Sequence, residues 1–130
     1  MIVAVMASIA VLMPPPVHGD FDHDGRPDVA EVVSTRSGEY QLIVRHGDEA
    51  RPVSVVMNLT AKQLANFYVT KAKPGRWKTW CGKGGGSNKD PCPRTHVTLT
   101  GDTLDFGTEE ASQAVALWTG KAFEVVFLSD

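Results

Sequence analysis

Between Gly19 and Val32 the chain reads GDFDHDGRPDVAEV. Asp20, Asp22, Asp24 and Asp28 crowd into nine residues, Gly25 stands among them, and an apolar run begins at once. No other stretch excludes so many local structures. Carboxylates this close repel one another unless they gather around a cation. Gly25 allows a sharp bend. Pro14, Pro15 and Pro16 precede the stretch and Pro27 lies inside it, so no helix enters or leaves the turn. The β-branched run VAEVV then favours a strand. The chain is expected to wrap an acidic turn and pass directly into a strand.

The cation that suits such a turn is calcium, which takes roughly six to eight oxygens at about 2.3–2.6 Å. The candidate ligands are the carboxylates of Asp20, Asp22, Asp24 and Asp28 and the main-chain carbonyl of Arg26. The stretch also satisfies the EF-hand spacing, with Glu31 at the twelfth position. An EF-hand needs flanking helices, which the prolines forbid, so Asp28 rather than Glu31 is expected to close the shell. DFDHDGRPD resembles the D-x-D-x-D-G-x-x-D calcium loop of FG-GAP and VCBS-type repeats. The resemblance implies a loop between β-strands, with the ion held by its first, third, fifth and ninth residues and its seventh carbonyl. This chain holds one copy, too few for a propeller, and His23 stands where those repeats commonly have glycine. KPGRWKTWCGKG and LWTGKAFEVVFLSD are further similar to a group of small exported bacterial proteins. That similarity implies location and fold, not activity.

No Lys, Arg, Asp or Glu precedes Asp20, and MIVAVMASIAVLM is an apolar run closed by prolines. It falls short of the roughly 20 apolar residues a spanning helix needs. It reads as the apolar part of a signal peptide over residues 1–18, cut between about Ala7 and His18. The rival reading is a buried N-terminal strand. Export makes a disulfide between Cys81 and Cys92 the natural use of the two cysteines. Zinc held by both cysteines and His96 is the alternative, but structural zinc is four-coordinate. The expected organisation is a leader followed by a single calcium-binding β domain over residues 19–130, periplasmic or secreted, with no membrane span after cleavage.

Beyond the turn the apolar pattern has mostly period two. Val29 to Thr35, Tyr40 to Arg45 and Val53 to Met57 read as strands, the last two joined by Gly47 to Pro52. Val97 and Leu99, TLDFG, QAVALW and the face Phe123, Val125, Phe127 continue a hairpin-connected meander. NLTAKQLANFY interrupts it with a capping box, Thr60 and Gln63, and predicts a helix over Ala61 to Tyr68. The expected fold is mainly β (α+β): a single antiparallel sheet or small barrel-like meander, one short helix, and a glycine-rich loop, Gly82 to Lys89, pinned by the disulfide.

The net charge of −2 gives no general attraction for nucleic acid. Yet Lys71 to Arg94 holds seven of the 13 cationic residues and a single acid, Asp90. Trp77, Lys78, Trp80 and Lys83 in that segment are a candidate surface for an acidic protein partner. The bland reading packs both tryptophans into the core. The four histidines have no metalloprotease spacing, and neither a nucleophile elbow nor a phosphate loop occurs. The sequence therefore points away from an enzyme. It points to an exported calcium-stabilised binding module, with a periplasmic inhibitor or immunity protein that blocks a toxin or hydrolase as the alternative.

Overall fold

A computed structural model describes residues 13–86 and 91–129. Residues 1–12 of the expected leader and residues 87–90, which include the end of the expected glycine-rich loop, lie outside the described residues. Of the remaining leader residues, Val17 and His18 belong to strand β1, Val17–Gly19, which pairs with the strand after the acidic turn.

That strand is β2, Asp28–Ser34, and β3, Tyr40–Arg45, and β4, Ser54–Leu59, follow it. The helix α1, Ala61–Leu64, leads to β5, Phe67–Lys71. β6, Gly75–Lys78, and β7, His96–Leu99, flank a short 3-10 turn at Cys81–Lys83. β8, Leu104–Thr108, β9, Gln113–Trp118, and β10, Phe123–Ser129, end the fold.

The mainly β expectation holds, but the single sheet does not. There are three antiparallel sheets: β1-β2-β3-β4, then β10-β9-β8-β5, then the hairpin β6-β7. The break falls at α1, where the chain leaves β4 and sends β5 to pair with β8 instead. One core lies between the two four-stranded sheets, with Leu42, Val44 and Val56 facing Leu104, Phe106 and Ala116. A second core lies on the far side of the β8–β9–β10 sheet, where Val115 and Leu128 meet Val97 and Leu99 of β7. The middle sheet is thus covered on both faces. That explains why Ala114, Val115 and Ala116 are all buried although they point alternately in opposite directions.

The capping box is present: Gln63 N–H donates to Thr60 Oγ1 at 3.2 Å, and Thr60 N–H to Gln63 Oε1 at 2.9 Å. The helix nevertheless stops at Leu64, four residues short of the expected Tyr68. Phe67, Tyr68, Val69 and Thr70 instead enter β5, where aromatic and β-branched side chains suit a pleated surface. Ladder bonds to β8, and the Tyr68 hydroxyl donating to Asp105 at 2.9 Å, outweigh another helical turn.

Two bulges also alter the expected faces. β3 and β4 shift register between Leu42 and Ile43, leaving Val56 as the extra residue. Val53 and Val55 are therefore exposed and Val56 is buried. A second shift between Phe127 and Ser129 turns Phe127 outward and Leu128 into the second core. The disulfide joins Cys81 to Cys92 as expected, which removes both thiolates from any zinc site.

The β4 bulge makes a direct prediction. Val56→Ala should cost about 2 kcal/mol, from two lost methyl groups and the cavity they leave. Val55→Ala should stay within about 0.5 kcal/mol of the parent. Urea midpoints for the two variants decide it, since simple alternation would reverse their order.

Candidate metal centre

The acidic turn occupies residues 20–28, between β1 and β2. Its own N–H groups shape it. Asp24 N–H donates to Asp20 Oδ1 at 3.1 Å and to Asp22 Oδ1 at 3.2 Å. Gly25 N–H donates to Asp20 Oδ2 at 2.9 Å, and Arg26 N–H to Asp24 Oδ1 at 2.8 Å. Such wrapping requires left-handed backbone at two places. Gly25 takes it freely with φ 86°, whereas His23 takes it at φ 58°. A residue of that type is tolerated there, so the histidine at a position commonly filled by glycine leaves the turn intact.

Asp28 opens β2 and is fully buried. Its Oδ2 accepts from Phe21 N–H at 2.9 Å and Asp22 N–H at 3.2 Å, and its Oδ1 accepts from Gly47 N–H at 2.8 Å. It therefore ties the start of the turn to the chain just beyond β3. Gly47 comes so near that an added Cβ would lie 2.5 Å from the Pro27 carbonyl oxygen, which explains the glycine.

Asp22 is the pivot. Its side chain is 0% exposed. Oδ1 faces Asp24, while Oδ2 lies 2.7 Å from His46 Nδ1 and accepts from the Arg51 guanidinium at 3.0 Å. Arg51 in turn lies over the Trp118 ring, 5.3 Å from its centroid. Burial pushes the Asp22 carboxyl above its usual range, against the hydrogen bond to His46. The exposed Asp24 carboxyl moves the other way, held low chiefly by the Arg26 N–H.

Two groups of potential ligands result, and they share Asp22. Asp20, Asp22 and Asp24 each offer an oxygen within 4.8 Å of the others, and so do Asp22, Asp28 and His46. Either group could hold a metal ion. Asp28 thus gathers with Asp22 and His46 rather than with Asp20 and Asp24. Arg26 lies in the turn with its guanidinium 3.8 Å from Asp48. Glu31 is occupied elsewhere, pairing with Arg45 Nε at 2.6 Å across β2 and β3. Among the described residues no cationic side chain comes within 4.0 Å of the Asp20 or Asp24 carboxylates.

Sequence reasoning did not single out His46, Gly47 or Arg51. They reach Asp22 and Asp28 from 24, 19 and 29 residues away. Nothing in RHGDEAR announces that contact, because the β2–β3 pairing creates it.

The residues expected to bind a partner are spread over the far hairpin. Trp77 is half-buried against the second core, and its indole N–H donates to the Lys73 carbonyl at 3.0 Å. Lys78 is exposed at the end of β6. Trp80 lines a groove of about 330 Å³ with Cys81, Arg94 and Phe127. Lys83 reaches back, its amine donating to the Leu128 carbonyl at 2.9 Å, so it anchors the turn to β10.

The chain matches no protein-family model, no curated protein and no solved structure. Among the described residues no helix is long and apolar enough to cross a membrane.

The brace formed by Asp28 predicts a loss that needs no metal. Asp28→Asn places an amide where three N–H groups converge, stranding at least one buried donor. In EDTA it should cost at least about 2 kcal/mol. Asp24→Ala, in the exposed part of the turn, should cost less than half as much under the same conditions. Chemical denaturation of the two variants in EDTA makes the comparison.

Proposed function

We propose that this protein is an exported calcium-stabilised binding module whose acidic turn holds the ion. One observation carries the reading: Asp20, Asp22 and Asp24 converge, and among the described residues no cationic side chain pairs directly with Asp20 or Asp24. All-oxygen ligands suit a hard cation such as calcium better than a softer transition metal. The likeness of DFDHDGRPD to the FG-GAP and VCBS-type loop supports the same choice, and so does its position between two strands. Asp20, Asp22 and Asp24 would hold the ion with the Arg26 carbonyl, while Asp28, gathered with Asp22 and His46, would brace the turn from its buried side. The disulfide and the apolar N-terminal run support a periplasmic or secreted location.

The partner in this reading is a protein that meets the groove beside the disulfide. Trp80 and the exposed Phe127 supply apolar contact there, Arg94 lies in the groove 3.5 Å from Glu124, and the exposed Lys78 stands nearby at the end of β6. The same groove supports the inhibitor or immunity reading, with the disulfide-pinned turn as the inserted element.

Calcium binding should raise the melting temperature, because a ligand bound only by the folded state adds RT ln(1 + [L]/Kd). At a hundredfold excess over Kd that is about 2.7 kcal/mol. Asp24→Ala should abolish the shift. Glu31→Gln should leave it largely intact, since Glu31 faces Arg45. Scanning calorimetry with calcium and with EDTA checks all three chains. A response lost in Glu31→Gln but kept in Asp24→Ala would overturn the ligand assignment.

A further inference from the structure

The Asp22–His46 contact continues to a third residue. His46 Nδ1 lies 2.7 Å from Asp22 Oδ2, and His46 Nε2 lies 2.7 Å from Ser54 Oγ. The Arg51 guanidinium donates to the same Asp22 oxygen at 3.0 Å. In the tautomer whose Nδ1–H donates to Asp22, Nε2 is the acceptor that faces the Ser54 hydroxyl. Carboxylate, imidazole and hydroxyl stand in the order that turns a serine into a nucleophile.

The surroundings suit that role. The Asp22 side chain is 0% exposed and the His46 side chain 1%, while Ser54 is half-buried at the first position of β4. The imidazole is packed against Trp118, at 5.3 Å between ring centroids, and Phe123, at 6.2 Å, which fixes the ring and keeps bulk water from it. Ser54 and His46 line an open cleft of about 480 Å³ together with Arg51, Trp118, Lys121 and Phe123. The cleft thus joins an apolar wall, two cations and the hydroxyl.

We propose that Ser54 is the nucleophile of an acyl-transfer site, with His46 as its base, acting on small carboxylic esters. Oγ bonds to the ester carbonyl carbon as its proton passes to His46 Nε2. The carbonyl oxygen becomes an oxyanion, for which Arg51 and Lys121 are cations lining the cleft. Collapse breaks the bond to the alcohol oxygen, which leaves with the proton from Nε2. Water then attacks the acyl–serine, gives a proton to Nε2, and releases the carboxylic acid as that proton returns to Oγ. Trp118 and Phe123 favour an apolar acyl group. Asp22 is a positioning residue that holds the imidazole in its working tautomer. The site adds an activity to the binding module. It needs only Oδ2 of Asp22, while Oδ1 faces the acidic turn.

The natively folded full chain, treated with a fluorophosphonate, should take up one label, mapped by peptide mass spectrometry to Ser54. Ser54→Ala should take up none. Asp22→Asn keeps the hydroxyl but presents the wrong donor and acceptor to Nδ1, so its labelling rate should fall at least tenfold. Val56→Ala, destabilised with the site intact, should label at the parental rate and so separates loss of orientation from loss of stability. The proposal fails if the parent takes no label, if label persists in Ser54→Ala, or if Asp22→Asn slows no more than Val56→Ala.

Discussion

Two buried carboxylates in one turn hold the first sheet in register with everything around it. Asp28 gathers two N–H groups from the start of the β1–β2 connection and one from the chain after β3. Asp22 gathers a histidine and an arginine from the β3–β4 connection. A carboxylate left bare in such a place would be costly, and removing one member of a buried pair commonly costs about 3–5 kcal/mol. The turn, the end of β3 and the start of β4 therefore form one unit, although residues 20, 46 and 54 are far apart in sequence. Arg51 extends that unit to the second sheet through the Trp118 ring.

The packing explains how the described residues support ten strands. A sheet covered on one face needs alternating side chains, but a sheet covered on both can bury consecutive ones. The middle sheet does the latter only because the β6–β7 hairpin closes its outer face. The hairpin has little apolar surface of its own, and the disulfide clips its connection from Cys81 to Cys92. In the chain-entropy model a clip of that length contributes roughly 2–3 kcal/mol. Trp80 N–H, donating to the Phe127 carbonyl at 2.8 Å, and the Lys83 amine on Leu128 dock the clipped turn against β10. The basic segment that the sequence marks as a surface is thus partly scaffold: Trp77 and Lys83 hold the hairpin in place, while Lys78 is exposed.

What was legible in the sequence was what short-range chemistry decides. Alternating Tyr40, Leu42 and Val44 give a strand because period two is local, and Thr60 with Gln63 caps a helix start because both partners lie within one turn. The acidic turn is legible for the same reason. The end of the helix is not, because Phe67 to Lys71 is drawn into β5 by β8, more than 30 residues on. GRWK carries no strand pattern and becomes β6 only against β7. Both bulges likewise depend on the neighbouring strand. The Asp22–His46–Ser54 alignment escapes spacing rules altogether, since its hydrogen bonds span 24 and 8 residues across two connections.

The turn's own N–H groups orient its carboxylates, and this bears on how it would bind a cation. Its N–H groups already hold Asp20, Asp22 and Asp24 inward. A carboxylate oxygen has two lone pairs, so one can keep its N–H while the other meets an ion. An ion held there would relieve repulsion among aspartates that these bonds already orient, and such preorganisation favours affinity. Asp28 and the buried half of Asp22 supply that order from within the protein. The half-buried Asp20 and the exposed Asp24, which pair directly with no cationic side chain among the described residues, are the carboxylates open to the solution. Structural and responsive carboxylates are separated by burial within one nine-residue segment, and Asp22 belongs to both because its two oxygens face opposite ways.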